Sequence, residues 1–360
     1  MYFSITGQYQ LCRTAVIQGL RFADDRGVHL LDLMLLGHVM LAAFNYGDLA
    51  AAEELFAKLP DPSTLRPFDR SYYYHLHALR SFFHNDAREA FRINEQALHM
   101  AQKAGDPNSP FLSGILHAQL LHELGKGGKA REFLDGMIEP WRRDSKSHDA
   151  FLYYLTKAHL FLEHDKRTAL DCLRHGLSVG KEERLVTTYY PWQPSAIIRL
   201  LTTALEHGIE VEYVRSLIKK RNIVPEDPPI HIENWPWLIR IHTLGRFEIL
   251  KDDNPVQFAG KVQKKPLELL KVLIALGGKD VAETQITDAL WPDADGDIAR
   301  VSFRTTLHRL RKLMGSDDAV QLKGGQLSIN ARYCWVDTWA FERVFNEALR
   351  GEDRKRQKQK

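Results

Sequence analysis

The sequence has few cysteines, no long apolar run and no targeting segment. The cysteines lie far apart, form no CxxC pair and are odd in number, which argues against a disulfide framework and suits a reducing compartment: Cys12, Cys172 and Cys334. No apolar run approaches the ~18 residues that a membrane helix requires, and the first residues lack the basic and apolar segments of a secretory signal. We therefore expect a cytoplasmic protein without a membrane partner.

Motifs for catalysis, nucleotide binding and metal binding are also missing. The sequence contains no GxxxxGKS/T phosphate-binding loop and no HExxH zinc motif. His75, His77 and His84 lie close together in the chain, but neighbours two positions apart point to different faces of a helix. We accordingly expect no enzymatic activity, no cofactor and no metal site.

The composition is that of a folded protein with an uneven distribution of charge. Apolar residues make up 44% and charged residues 26% of 360 residues, and this length indicates two or three domains. The net charge is only +3, yet the segment Ala299–Gly315 carries arginine and lysine without a carboxylate, and the tail from Arg350 is also basic. A local surplus of cations is expected of a nucleic-acid-binding element, although a solvated helix face is the commoner reason for a lone basic run.

Residues 1–224 show an internal helical repeat. Apolar residues recur at helical spacing between short breaks of Gly, Asp, Asn or Pro. An alanine stands at a similar point after four of these turns, at separations of 39, 40 and 39 residues: Ala51, Ala90, Ala130 and Ala169. A small residue lets two helices cross closely, and each hairpin must stack on the next to bury its apolar face. These units resemble tetratricopeptide-type repeats that are longer than the usual ~34 residues.

The first repeat is expected to be incomplete. The segment Gly7–Ala15 has the pattern of a second repeat helix, but residues 1–6 are too short to form its partner. A solenoid normally ends in a polar cap. We therefore expect the chain to be the C-terminal portion of a longer protein, or to need a partner that covers this end.

The pattern changes beyond a proline-rich linker predicted at 225–234. Trp237–His242 and Arg246–Leu250 alternate as strands, and Pro255–Phe258 predicts a third. A second fold therefore begins near residue 235.

Two helices and a short strand are predicted next. The pattern over residues 264–278 predicts one helix, with Pro266 in its first turn and a glycine pair at its end. Val281–Ala282 predicts the strand, and Thr284 is the predicted N-cap of a helix over Gln285–Trp291.

A basic helix is predicted over Ile298–Met314, which completes a helix-turn-helix. Its apolar face must pack in the core: Phe303, Leu307, Leu310 and Met314. The opposite face carries the residues expected nearest the bases: Val301, Arg304, Thr305, His308 and Lys312. The flanking cations are expected on phosphates: Arg300, Arg309 and Arg311. Arginine and lysine neutralise phosphates, arginine pairs with guanine through two hydrogen bonds, and threonine contacts the thymine methyl group.

A β-hairpin is predicted over Val320–Ile329, with Gly324 and Gly325 in its turn. A hairpin after a recognition helix is typical of a winged helix, and Lys323 at its tip is expected to contact a phosphate or the minor groove. An ordinary surface hairpin is the alternative.

An ordered set of motifs carries a family resemblance: Leu244–Ile249, Leu267–Leu270, Ala289–Pro292 and Leu307–Leu313. Together they resemble the effector domain of the Streptomyces antibiotic regulatory protein family, which is similar to the winged helix of two-component response regulators. The resemblance implies that helix 298–314 enters the major groove. It also implies that the loop carrying Trp291, Asp293 and Asp295 faces RNA polymerase.

Two departures from that family pattern stand out. Leu327 occupies the position after the wing glycines that is usually aromatic. The helical repeats precede the winged helix, an order that resembles large MalT-like regulators with an upstream nucleotide-binding module.

The sequence thus predicts a mainly α protein: a tetratricopeptide-like helical-repeat superhelix over 1–224, a linker over 225–234, an α+β winged-helix domain over 235–345 and a basic tail over 346–360. The expected function is that of a DNA-binding transcription regulator, with double-stranded DNA and RNA polymerase as partners and a small-molecule or protein effector on the repeats. The alternative is a protein–protein interaction scaffold whose winged helix does not bind DNA.

Overall fold

The computed structural model describes residues 2–104, 109–137, 147–186, 191, 193–257 and 264–358. The chain divides into two compact units, unit 1 over Met1–Ile223 and unit 2 over Val224–Lys360. In the described residues, unit 1 is helical and unit 2 combines helices with two small sheets. The predicted fold class is therefore confirmed. No helix in the described ranges has the length and the apolar character required to cross a membrane.

Unit 1 is a succession of helical hairpins. Its helices are α1 (Tyr2–Ile5), α2 (Tyr9–Arg26), α3 (Asp32–Tyr46), α4 (Leu49–Phe56), α5 (Pro67–Phe83), α6 (Ala87–Ala104), α7 (Ser109–Glu123), α8 (Gly127–Gly136), α9 (Ser147–Phe161), α10 (Lys166–Glu182), α11 (Pro194–Glu206) and α12 (Val211–Lys220). From α3 onward, helices adjacent in sequence pack as pairs. Gly47 and Asn85 turn the chain within two of these pairs, each with a positive φ that glycine and asparagine adopt most readily.

The repeat register differs by one residue from the prediction in the first hairpin. The fourth residue of each second helix is small and buried: Ala52, Ala90, Ala130 and Ala169. Ala52 has no exposed surface, whereas Ala51, which the spacing predicted at this point, is only half-buried. The prediction for Ala51 is thus wrong. Because α4 begins at Leu49, its fourth residue is Ala52, and Ala52 is the residue that is enclosed. The corrected separations are 38, 40 and 39 residues.

The first helices of unit 1 make contacts that the repeat pattern did not predict. The helix expected over residues 7–15 is α2, which extends to Arg26 and packs on both α3 and the short helix α1. The Val186 amide donates to the Ile5 carbonyl at 3.0 Å. The Arg221 guanidinium donates to the Asn45 carbonyl, so the early and late helices of unit 1 are joined.

Unit 2 contains two sheets. Its strands are β1 (Ile239–His242), β2 (Glu248–Lys251), β3 (Asn254–Pro255), β4 (Val281–Ala282), β5 (Val320–Lys323), β6 (Gln326–Ile329) and β7 (Cys334–Val336). The first sheet has the order β3-β2-β1-β7, in which β1 is antiparallel to β2 and parallel to β7. The second, β4-β6-β5, is antiparallel throughout. The third predicted strand is shorter than expected, and Phe258 lies outside the described residues.

The described part of unit 2 also contains four α-helices and a 3-10 turn over Asp317–Ala319: α13 (Lys264–Ala275), α14 (Glu283–Leu290), α15 (Gly296–Met314) and α16 (Asp337–Lys358). One apolar core joins helices and both sheets and includes Ile241, Leu270 and Phe303. The prediction of Thr284 as an N-cap is wrong, because α14 already begins at Glu283. The Gln285 side chain instead accepts the Ala282 amide at 3.3 Å.

Two segments expected to lie outside the winged domain belong to unit 2. In the predicted linker, the Ile230 carbonyl accepts the Trp335 indole N–H at 2.8 Å and Ile232 is buried. The predicted basic tail continues α16 as far as Lys358. The Asp337 carboxylate anchors this helix by accepting the Thr243 amide at 2.7 Å and the Leu244 amide at 2.8 Å.

Candidate nucleic-acid interface

Helix α15 is anchored along one face and at its C-terminal end. Phe303, Leu307, Leu310 and Met314 are all buried in the core of unit 2, as the spacing predicted. Gly315 ends the helix with a φ of +69°, and its amide donates to the Arg311 carbonyl at 2.8 Å. A Cβ at Gly315 would collide with the Lys251 side chain, whose ammonium lies against this end of the helix. A cation is favourable there because the helix macrodipole is negative at its C-terminus.

The opposite face of α15 is open to solvent. Val301 is 67% exposed on this face. The polar residues predicted to face the bases are exposed as well: Arg304, Thr305, His308 and Lys312. The Thr305 hydroxyl donates to the Val301 carbonyl at 3.0 Å, so its proton is committed to the helix backbone. The structure brings all of these predicted base-facing residues onto one surface.

The flanking cations fall into different environments. Arg309 is exposed and forms no ion pair within the described residues. Arg300 lies 3.3 Å from the Glu283 carboxylate of α14, so its charge is partly neutralised. Arg311 is half-buried, and its Nε donates to the Val320 carbonyl of β5 at 2.9 Å. Arg311 therefore connects α15 to the hairpin, a structural role that the sequence interpretation did not include.

The predicted wing has the expected turn. β5 and β6 pair from Val320 with Ile329 to Lys323 with Gln326, so the turn residues are Gly324 and Gly325. Their φ values of +57° and +77° require residues that tolerate the left-handed region. Lys323 is exposed beside the turn. Leu327, the residue that departs from the family pattern, is buried and pairs with Val281 of β4. It therefore joins the hairpin to the third strand of its sheet.

The loop before α15 divides into a packed and an exposed part. Trp291 is half-buried against the core of unit 2, and the Lys265 ammonium lies 5.6 Å from its ring centroid. Asp293 and Asp295 are exposed. Of the residues that the resemblance directed toward RNA polymerase, only the two carboxylates present their side chains freely to solvent.

Sequence reasoning missed two groups that support α15: Lys251 and Glu283. Both lie on other elements, distant in sequence from α15, and contact it only in the folded structure. The glycine after Met314 was a usable signal for the first, because a helix C-terminus attracts a cation.

Comparisons with known proteins identify no relative in sequence. No family model matches the chain, and no curated protein matches it. Among solved structures, the crystal structure of BtubC (BKLC) from P. vanneervenii is similar at 15% identity and a TM-score of 0.38, covering 60% of this chain and 88% of that chain. A likeness this low carries no argument about fold or function.

Proposed function

We propose that the chain is a cytoplasmic DNA-binding transcription regulator in which α15 binds the major groove and the β5–β6 hairpin contacts the adjacent backbone or minor groove. The observation that carries this proposal is the solvent face of α15. Arg304, Arg309 and Lys312 are exposed there without a carboxylate partner in the part of the chain that the structure describes. An ordinary surface helix gains stability from opposite charges at i,i+4, and this face has none.

The dimensions of α15 suit the proposed binding mode. An α-helix with side chains is about 10–12 Å wide and the major groove of B-DNA about 12 Å wide. From Val301 to Lys312 the helix advances about 16 Å, which corresponds to about five base pairs at ~3.4 Å each. Arg304 and His308 lie near the middle of this span and are the main candidates for base contacts.

Backbone contacts are assigned to the other exposed cations of the helix and the hairpin. Arg309 and Lys323 are exposed on the helix and the hairpin, respectively. Arg300 contributes if a phosphate replaces Glu283 as its partner. Arg311 is assigned to holding the hairpin rather than to DNA, because its guanidinium already donates to β5.

Two further partners extend the proposal. Exposed Asp293 and Asp295 are assigned to a contact with RNA polymerase, which rests on the family resemblance alone. The helical repeats of unit 1 are assigned to an effector, either a small molecule or a protein.

A protein–protein interaction scaffold is the second candidate. It is favoured by α16, on which Phe341, Val344 and Phe345 are exposed at i, i+3 and i+4. Phe341 and Phe345 stack with ring centroids 6.0 Å apart. An exposed apolar stripe of this spacing is typical of helices that dock on other proteins.

The two candidates differ in how their binding depends on salt. We expect the full chain to bind a labelled pool of random duplexes in fluorescence anisotropy, with affinity falling steeply between about 50 mM and about 200 mM salt as counterions are released. Several rounds of selection from the same pool should enrich one sequence motif. If the chain shows no duplex affinity at the lower salt concentration, the proposed function is wrong and the scaffold remains.

A further inference from the structure

A small polar pocket lies among four helices of unit 1, remote in sequence from the α15 surface. It has a volume of about 140 Å³ and receives side chains from α7, α8, α11 and the C-terminal end of α9. Water occupies ~30 Å³ per molecule in the liquid, so this volume suits a ligand of only a few heavy atoms. The polar residues that line it are His122, Arg131, His159, Glu163, His164 and Arg199.

The charges in this pocket are unbalanced. Arg131 and Arg199 bring two permanent positive charges, and Glu163 is the one carboxylate among the lining residues. Glu163 lies 3.0 Å from Arg199, but its side chain is 82% exposed, so the pair is well screened by water. Arg131 forms no ion pair within the described ranges, and its guanidinium lies 5.7 Å from the centroid of the Phe161 ring. One cation in the pocket therefore lacks an anion.

The inner wall of the pocket offers nitrogen groups for hydrogen bonding. The rings of His122 and His159 meet edge to face with centroids 5.2 Å apart. The Nδ1 atom of His122 is enclosed and has no hydrogen-bond partner among the described residues. Burial, followed by the nearby His122 and Arg199, lowers the pKa of His159 to about 4. His159 is thus neutral near pH 7 and does not add a further charge to the wall.

An earlier hairpin of unit 1 carries a carboxylate at the position that corresponds to Arg131. The fifth residue of α4 is Glu53, which accepts two hydrogen bonds from Arg80 at 2.7 and 2.9 Å and one from His84 at 3.0 Å. The fifth residue of α8 is Arg131. The two positions are separated by two repeat periods, 78 residues. At the equivalent position of α8 a cation, Arg131, therefore stands where α4 has a carboxylate.

We propose that this pocket binds a small oxyanion, a phosphate or carboxylate group, that takes the place of the missing carboxylate. The anion accepts hydrogen bonds from Arg131 and Arg199 and from the histidines of the wall. In the proposed regulator it is the chemical class of the effector sensed by unit 1. Binding of the anion itself does not depend on whether unit 2 binds DNA.

The test is calorimetric titration of the full chain with inorganic phosphate and, separately, with malonate, in chloride buffer of constant ionic strength at about pH 7. We expect saturable binding of one anion per chain for at least one of the two probes. The variant R131Q/R199Q should weaken the affinity at least about tenfold, equivalent to a loss of ~1.4 kcal/mol. H164Q, which alters an exposed residue at the mouth of the pocket, should weaken it less.

The matched control is R92Q/R174Q. It removes two exposed arginines, each paired within its own helix, that lie outside this pocket. Its affinity should stay within about twofold of the parent's, because neither arginine lines the pocket and each is already paired with a carboxylate of its own helix. Far-UV circular dichroism checks that every variant is folded. If R131Q/R199Q does not fold, the affinity of H164Q is compared with that of the parent instead.

Two results would overturn the proposal. One is the absence of saturable binding for both probes. The other is binding that survives R131Q/R199Q but is lost in R304Q, since that would place the anion on the α15 surface. Neither result depends on duplex affinity. The anion site can therefore be wrong while the DNA-binding function is right, and the reverse also holds.

Discussion

Individual side chains on α15 carry different parts of the proposed recognition. Arg304 and Arg309 are both exposed on α15, on opposite sides of the line that runs through Thr305 and Lys312. We expect R304A to lose about 1–3 kcal/mol of binding free energy for the selected sequence and to relax specificity at one base pair. R309A should weaken binding to all sequences and reduce the salt slope by roughly 0.9. Anisotropy titrations with the selected and a scrambled duplex separate these effects.

The control for both variants is R246A. Arg246 is an exposed arginine of the same unit, lies between β1 and β2 and pairs with Glu248 at 2.8 Å. It removes the same charge from a different element. If R246A reduces duplex affinity as much as R304A does, the effect is one of net charge and the assignment of Arg304 to a base is wrong.

Arg311 is expected to act on stability rather than on DNA contacts. Its Nε–H···O bond to Val320 joins α15 to β5. R311Q shortens the side chain and breaks this bond, which should cost about 0.5–1.5 kcal/mol of unfolding free energy. R309Q, two positions away and exposed, should leave the unfolding free energy nearly unchanged. Urea denaturation of both variants tests this. If their unfolding free energies are equal, Arg311 does not stabilise the fold through its bond to Val320.

At this scale the sequence predicted which residues of α15 are exposed but not which of them are already engaged. Helical spacing is sufficient to place Phe303 inside and Val301 outside. The partners of Arg300 and Arg311 are Glu283 and Val320, which lie on other elements. Periodicity contains no information on such contacts.

Among the secondary-structure elements, the repeat register gives the sharpest test. Ala52 is enclosed at a helix crossing, so the larger side chain of A52L must displace its neighbours, at a cost of about 1–3 kcal/mol of unfolding free energy. Ala51 borders a cavity of about 130 Å³, which offers room for the added atoms of A51L. We therefore expect A52L to unfold at lower urea concentration than A51L in circular dichroism. If A51L unfolds at the lower urea concentration instead, Ala51 is the residue at the helix crossing, as the spacing alone predicted.

Elements with strong local signals were predicted well, and elements defined by distant partners were not. Gly324 and Gly325 identified the hairpin turn because two adjacent glycines provide the positive φ values that it needs. The strand β7 was missed, since it is only Cys334–Val336 and is stabilised by parallel pairing with β1, far away in sequence. The helix α14 begins before Thr284 because Gln285 reaches back to the Ala282 amide, a cap formed by a side chain beyond the predicted capping residue.

For the molecule as a whole, composition and periodicity predicted two different folds in succession, and the structure contains both. The contact between the early and late helices of unit 1 could not be predicted in the same way. Arg221 and Asn45 are 176 residues apart, and their contact follows from the accumulated rotation of the stacked hairpins. Arg221 is half-buried there, and this burial lowers its pKa to about 10.

Histidines that are buried or half-buried should make the stability of unit 1 depend on pH. Burial lowers the pKa from 6.5 to about 4 in four of them: His38, His75, His117 and His159. The folded chain therefore binds fewer protons than the unfolded chain between these two values. Their stabilising contribution is complete above about pH 6.5 and is lost as the pH falls toward about 4. For His75, which is almost entirely enclosed, the shift corresponds to about 3 kcal/mol.

Urea denaturation of the full chain, followed by circular dichroism, measures this dependence. We expect the midpoint to fall steadily from about pH 7 to about pH 5, a window that lies above the ordinary pKa of aspartate and glutamate and therefore belongs to the histidines. H75Q should flatten the slope because it removes one titrating group, although it also disturbs the hydrogen bond of 3.0 Å between His75 and Ser113. A midpoint that does not change across this window would show that these rings stay accessible to protons in the folded chain.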